Sequence, residues 1–186
     1  LISHIEHMGS LCNSQFNIRR ETPADINAIY AIESAAFAGE AHADLVDRLR
    51  AEDALLLSHV AEINGVIVGH AAYTLLTITD GDIIHHCPGL GPIGVDPPFQ
   101  GRGIGSALVR AGIGAMRDIG YGLLFLVGSP RYYPRFGFQP AQPLGFNSDY
   151  VEPDGPHEHF MVAVLDERAP GNIRGHARFH PAFHDV

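Results

Sequence analysis

The spacing of apolar residues changes period several times along the chain, and each change marks an element. Asn17 to Arg20 is a short run that reads as a first strand. Thr22, Pro23 and Asp25 then supply an N-cap, a proline at the first helical position and a capping-box acid. Behind them Ile26, Ile29, Ile32 and Ala36 recur at helical spacing, and a second helical stretch carries Leu45, Leu49 and Ala54 between charged residues. Leu57 to Ile63 and Val66 to Thr74 are rich in β-formers and are joined by Asn64-Gly65, a pair that tolerates the positive φ angles of a tight hairpin. Asp80-Gly81-Asp82 predicts another turn, and Ile83 onward leads into a further strand ending at Val95.

A helix is expected from about Gly103 to Asp118, burying Ile104, Leu108, Ala111, Ala115 and Ile119. Gly112 and Gly114 inside it each cost roughly 1 kcal/mol relative to alanine, so close packing is expected against both. Leu123 to Val127 is a continuous apolar run, as in a strand buried on two faces. A short helix over Arg131 to Phe136, a strand near Phe138 and a last strand from Phe160 to Leu165 complete the pattern. Strands outnumber helices and both orders of connection occur. The fold class is mixed α/β (α+β), a sheet with helices on its faces.

Composition narrows the function. The 186 residues fit one domain, with 46% hydrophobic residues enough for a sizeable core. No apolar run approaches the ~18 residues that span a membrane, the first twenty residues lack the order of a secretory signal, and two cysteines, Cys12 and Cys87, make no disulfide framework. A soluble cytoplasmic protein is the expectation. Twelve Lys+Arg against 21 Asp+Glu give a net charge of −9, which argues against a nucleic-acid partner and is compatible with a cationic substrate such as an amine. Residues 1–10 contain His7-Met8-Gly9-Ser10, which reads as a vector remnant. The functional domain is placed at 16–165, and 166–186, rich in Pro, Gly and His without clear periodicity, is read as a tail.

The chemistry concentrates between Val95 and Ser106, in Val95-Asp96-Pro97-Pro98-Phe99-Gln100-Gly101-Arg102-Gly103-Ile104-Gly105-Ser106. A strand ends, a glycine-rich loop turns and a helix begins. Such a junction aims several backbone N–H groups into one concavity at the positive end of a helix, which suits a phosphate. Arg102 adds a cation in the loop. A P-loop requires a lysine that is absent, and the dinucleotide fingerprint requires glycine where Ser106 stands. What remains is Gln-x-x-Gly-x-Gly at Gln100, Gly103 and Gly105.

That pattern, following Gly-Pro-Ile-Gly-Val-Asp-Pro, resembles the acetyl-coenzyme-A pyrophosphate loop of the GNAT N-acetyltransferase superfamily. Tyr133-Pro134-Arg135-Phe136-Gly137-Phe138 likewise resembles the family's Tyr-x-x-x-Gly-Phe element after the fifth strand. The resemblance implies a mostly antiparallel central sheet whose fourth and fifth strands splay apart, with pantetheine hydrogen-bonding to the fourth strand through Ile93, Gly94 and Val95. Pro92 suits a bulged strand there. It implies acetyl-CoA as cofactor, its pyrophosphate held by Gln100, Gly101, Arg102, Gly103, Ile104, Gly105 and Ser106. It further implies Tyr133 as the acid that protonates the leaving thiolate and the backbone N–H of Ile93 as the oxyanion donor.

The general base is left among several residues. His85 and His86 precede the fourth strand, Glu33 and Glu40 lie near the connection of the first two helices, and a water relay would also serve. No metal site is expected, although His157-Glu158-His159 would put two rings on one strand face and His176, His180 and His184 recur every four residues; Pro181 interrupts that second set. The partner is a small-molecule or peptide amine, with a homodimer left open. A non-catalytic coenzyme-A-binding module and transfer of a longer acyl group, for which Gly89, Gly91 and Gly94 could leave room, are the alternatives.

Overall fold

The sheet pairs antiparallel through its first four strands and then changes to a parallel pair between the fourth and the fifth. The computed structural model of the chain describes residues 16–150, 157–169 and 173–186, so the expected vector remnant at 1–10 lies outside the described residues. Strand β1 (Asn17–Arg20) leads through a 3₁₀ turn to helices α1 (Ile26–Ala36) and α2 (Ala41–Ala51). The Asp25 carboxylate accepts a hydrogen bond from the Thr22 N–H at 2.7 Å and two from the Arg19 guanidinium, tying the helix entrance to β1.

Strands β2 (Leu55–Ile63), β3 (Val66–Asp80) and β4 (Ile83–Val95) pair antiparallel in order, with β1 outside β2. Asn64 and Gly65 take φ of +50° and +82°, the tight hairpin turn that their sequence predicts. Helix α3 (Ile104–Ile119) then crosses the sheet and delivers β5 (Leu123–Val127), which runs parallel to β4. Two short strands, β6 (Phe138–Pro140) and β7 (Phe146–Ser148), precede β8 (Phe160–Val164), which lies between β5 and β6.

The segment read as a tail is part of the fold. Strand β9 (Gly175–Arg178) pairs with Thr77–Thr79 of β3, beyond the point where β2 ends, and a 3₁₀ turn at Pro181–Asp185 follows it. Ala177 and Ala182 are buried by these contacts. Among the described residues no helix is long and apolar enough to cross a membrane.

The main core lies between α3 and one sheet face, where Ile104, Leu108, Ile113 and Met116 meet Leu57, Ala71, Tyr73 and Leu124. The other face carries α1 and α2 over Val60, and a third cluster gathers Phe125, Phe146 and Phe160 around Leu76 and Ile78. The buried face of α3 differs from the expected one. It is centred on Leu108, Gly112 and Met116, whereas Ala111 and Ala115 are only partly buried and Ile119 is 49% exposed. At about 100° per residue, Ala111 and Ala115 fall about 100° and 60° from Gly112 at the centre of that face, and Ile119 lies on the face but in the last turn of the helix. Gly112 is packed against the Tyr73 ring as expected; Gly114 has open space around it.

Candidate active site

Strand β4 touches β5 at a single residue pair, Gly89 opposite Phe125, and the two strands part beyond it. A register shift inserts one extra residue into β4 at Gly91-Pro92, opposite Ala72 of β3. The Asp96 N–H donates to the Val68 carbonyl at 3.0 Å. Because an antiparallel ladder alternates, the N–H and C=O groups of Ile93 and Val95 therefore point away from β3 into the splay. Val95 C=O is taken by the Gln100 amide at 3.0 Å, leaving the Ile93 groups and the Val95 N–H facing the gap.

The glycine loop closes one end of that gap. Gly101 and Gly103 sit at φ of +73° and +85°, left-handed conformations that favour glycine, and a Cβ on either would meet nothing within 4 Å. The first helical bond of α3 runs from the Ala107 N–H to the Gly103 carbonyl, so the amides of Ile104, Gly105 and Ser106 have no helical acceptor. They line a cavity of about 540 Å³ together with Ile93, Val95, Gln100, Gly101 and Gly103. Unpaired amides at the positive end of a 16-residue helix, beside open space, fit a pyrophosphate.

Two expected cofactor contacts are placed elsewhere. The Arg102 guanidinium donates to the Pro98 carbonyl at 3.0 Å and lies over the Phe99 ring, outside the cavity wall. Arg135 lines the cavity instead, held over Tyr132 by a bond from its Nε to the Tyr132 carbonyl at 2.8 Å. Gly94 faces the opposite side of β4 from its neighbours, and a Cβ there would lie 3.0 Å from Glu33 Oε2. Its lack of a side chain admits that carboxylate behind the strand.

A second cavity, of about 520 Å³, opens on the other side of Tyr133. Both cavities are lined by Phe37, Ile93, Tyr132 and Tyr133. Tyr133 stands at the start of a 3₁₀ turn with its ring edge-on to Phe138 and Tyr132. Burial, and secondarily the neighbouring Tyr132, push its phenol up to about 12, so it keeps its proton through neutral pH. Ser106 Oγ lies 3.3 Å from the Tyr132 hydroxyl, which links the glycine loop to this turn.

The base candidates separate in space. His86 is paired with Thr77 toward the hairpin end of β4, seven residues from Ile93 and so roughly 20 Å along the strand. His85 is its neighbour, opposite Ile78; neither lines a cavity, and both lie within the strand rather than before it. Glu40 is exposed at the start of α2. Glu33 is fully buried, with Oε1 at 2.6 Å from His70 Nδ1. His70 Nε2 is 3.0 Å from Ser58 Oγ, which donates to Glu21, itself paired with Arg50.

The structure also brings forward His42, a residue that no motif marks. It lines the second cavity with its imidazole stacked on Phe37, centroids 3.7 Å apart and planes within 6°. Burial lowers its pKa, partly opposed by the Glu33 carboxylate. The histidine groups nearer the C-terminus are not at the cavities' floor: His157–His159 forms a 3₁₀ turn rather than a strand face, and His176 pairs with Asp149 at 2.5 Å. Among the described residues no group of three or more His, Cys, Asp or Glu is placed to hold a metal ion.

Comparison with known proteins agrees with this geometry. Residues 17–141 match the family model described as an acetyltransferase (GNAT) domain. The N-acetyltransferase YjhQ of Escherichia coli K12 is 34% identical over 161 residues, 83% of this chain and 87% of its own length. A solved structure of the E. coli N-acetyltransferase YhbS in complex with CoA superposes with a TM-score of 0.85 at 28% identity, covering 94% of this chain and 95% of that one. A GNAT family acetyltransferase from Brucella melitensis in complex with acetyl-CoA gives 0.74 at 32% identity, covering 92% and 99%. The splayed strands, the open amide cradle and these matches together show that the chain belongs to the GNAT acetyltransferase family and is an N-acetyltransferase.

Proposed function

We propose that the chain uses acetyl-CoA to acetylate a primary amine by direct attack within a ternary complex. The observation that carries this reading is Tyr133, whose ring forms the wall common to two cavities, with Ile93 on the facing strand shared by both. One cavity has the amide cradle and Arg135 for a pyrophosphate; the other is left for the acceptor. A module that only sensed coenzyme A would need no second cavity across an acid from the first.

Acetyl-CoA, when bound, supplies the acetyl group as a thioester. The amides of Ile104, Gly105 and Ser106 and the Arg135 guanidinium would hold its phosphates, and the outward groups of Ile93 and the N–H of Val95 would pair with its arm as an added strand does. The Ile93 N–H donates to the carbonyl oxygen as charge develops there. Tyr133, a phenol that is neutral at physiological pH and is kept so to higher pH by burial, would give its proton to the departing sulfur.

Replacing Tyr133 with Phe removes the acid and keeps the ring. Turnover with a competent amine should fall by about 10²-fold or more, while acetyl-CoA affinity stays within a factor of about two. Unchanged turnover would remove Tyr133 from the chemistry.

A further inference from the structure

Resting on the acetyltransferase reading, we infer that the second cavity is the acceptor site, that it selects a primary monoamine carried on an apolar or aromatic body, and that His42 is the base that deprotonates it. The wall is built from distant parts of the chain: Phe37, His42 and Leu45 from the first two helices, Leu90 from β4, and Phe179 and Phe183 from the C-terminal segment. Tyr150 packs edge-on to Phe179 at 5.3 Å, and Phe179 leans on Phe183 at 5.7 Å, so the far wall is a continuous aromatic surface. Among the described lining residues there is no Asp, Glu, Lys or Arg. A polyamine or a lysine-rich peptide entering this cavity would strip water from additional charges and find no partner for them. An arylalkylamine or alkylamine brings one ammonium group, which loses its charge on deprotonation, and buries an apolar body against the aromatic wall.

Among the described lining residues of this cavity, His42 is the side chain whose ordinary pKa suits a base near neutral pH. Its ring is fixed by stacking on Phe37, a residue that itself lines both cavities, and it shares the acceptor cavity with Ile93 and Tyr133. Glu33, on the preceding helix, is the carboxylate whose charge acts on it. The half-buried imidazole is held toward its neutral form, ready to accept a proton. The proton balance closes. His42 takes one proton from R–NH₃⁺ and passes it to water; the nitrogen lone pair forms the C–N bond as the C–S bond breaks. The sulfur leaves with the proton of Tyr133, and the second nitrogen proton restores the phenol. The products are the amide, coenzyme A thiol and one released proton.

The same cavity could house a long acyl chain, but His42 argues against that occupant, because a thioester chain has no proton to give. An acyl chain there would also fill the space that an amine needs to reach Tyr133 and Ile93.

The test is coenzyme A thiol release by the full chain at equal concentrations of 2-phenylethylamine, hexylamine, spermidine and a lysine-containing peptide, with acetyl-CoA and then octanoyl-CoA as donor. The two apolar monoamines should exceed spermidine and the peptide by about tenfold or more in kcat/KM, with acetyl-CoA the better donor. Phe183→Arg should raise KM for 2-phenylethylamine about tenfold and leave the Kd for acetyl-CoA unchanged. His42→Gln should lower kcat by about 10²-fold at pH 7, with the deficit shrinking toward pH ~10, where the amine loses its proton unaided. A merely structural histidine would give a deficit flat in pH. Preference for spermidine or the peptide, preference for octanoyl-CoA, or no transfer to any of the four amines by protein that binds acetyl-CoA would each overturn the inference while the cofactor assignment stood. Failure to bind acetyl-CoA at all would overturn both.

Discussion

Gly112 of α3 lies directly against the hydroxyl end of Tyr73 on β3, so that a Cβ on this glycine would overlap the phenol. Tyr73 is fully buried and its hydroxyl donates to the Leu108 carbonyl, one turn earlier in the same helix, at 3.3 Å. Helix propensity alone would make alanine about 1 kcal/mol better at this position, but forced overpacking costs about 1–3 kcal/mol. The expected result for Gly112→Ala is a net loss of up to about 2 kcal/mol in denaturant unfolding. Gly114, two residues on, has nothing within 4 Å of where a Cβ would stand, so Gly114→Ala should gain up to about 1 kcal/mol. Equal effects of the two substitutions would contradict this packing.

The Glu33–His70 pair sits behind Gly94 with both side chains wholly buried. Deleting one member of such a pair leaves the other without its partner in a region water does not reach, at a cost of about 3–5 kcal/mol. His70→Ala should therefore lower stability by that much, with Ser58→Ala costing only about 1 kcal/mol. Thermal and urea unfolding measure both. A loss below about 1 kcal/mol for His70→Ala would show that the network is not held together as described.

Asp25 gives a pH-dependent prediction with a fixed sign. Hydrogen bonds from Arg19, and then from Thr22, hold its carboxyl well below the ordinary carboxylate range. A depressed folded-state value means that the stabilisation is complete above the unfolded pKa of ~3.9 and is lost as pH falls through the folded one. Asp25→Asn should cost about 1.5–3 kcal/mol at pH 6, and the gap between wild type and variant should narrow as the pH drops below about 4. A gap constant from pH 6 to pH 3 would exclude a paired Asp25.

Tyr133 behaves in the opposite direction. Its phenol, raised to about 12 by burial, remains an acid over the whole usable range. The kcat profile should consequently show no fall attributable to a phenol near pH 10. A clear loss of turnover with an apparent pKa near 10, absent from Tyr133→Phe, would mean that the ring is more hydrated than the structure shows.

Much of this site is legible in the sequence because its parts are local. The glycine loop is one contiguous segment whose residue types fix left-handed φ at Gly101 and Gly103, and Tyr133 is set four residues before Gly137, itself at φ +89°. The hairpin at Asn64-Gly65 and the end of β4 at Val95 are readable for the same reason, whereas its start, which takes in His85 and His86, is not. What escapes reading depends on contacts across the chain. His42 occupies an Ala-His-Ala stretch of α2 with nothing beside it to mark a role, and only the fold sets it on Phe37 and in one cavity with Ile93. Strand β9 is four residues, Gly-His-Ala-Arg, too short for periodicity; its place is decided by the part of β3 that β2 leaves unpaired. Arg102 and Arg135 are equally charged in sequence, and the choice between them follows from which carbonyl each guanidinium reaches.

If the Gly101–Ser106 loop holds the cofactor's pyrophosphate, calorimetric titration with acetyl-CoA will register it. Wild type should bind with micromolar affinity, about −8 kcal/mol. Gly103→Asp, which forces a side chain into φ +85° and sets a carboxylate beside the amide cradle, should weaken binding by at least about 100-fold, with circular dichroism unchanged. Equal affinity in the folded variant, or no binding by wild type, would contradict the account.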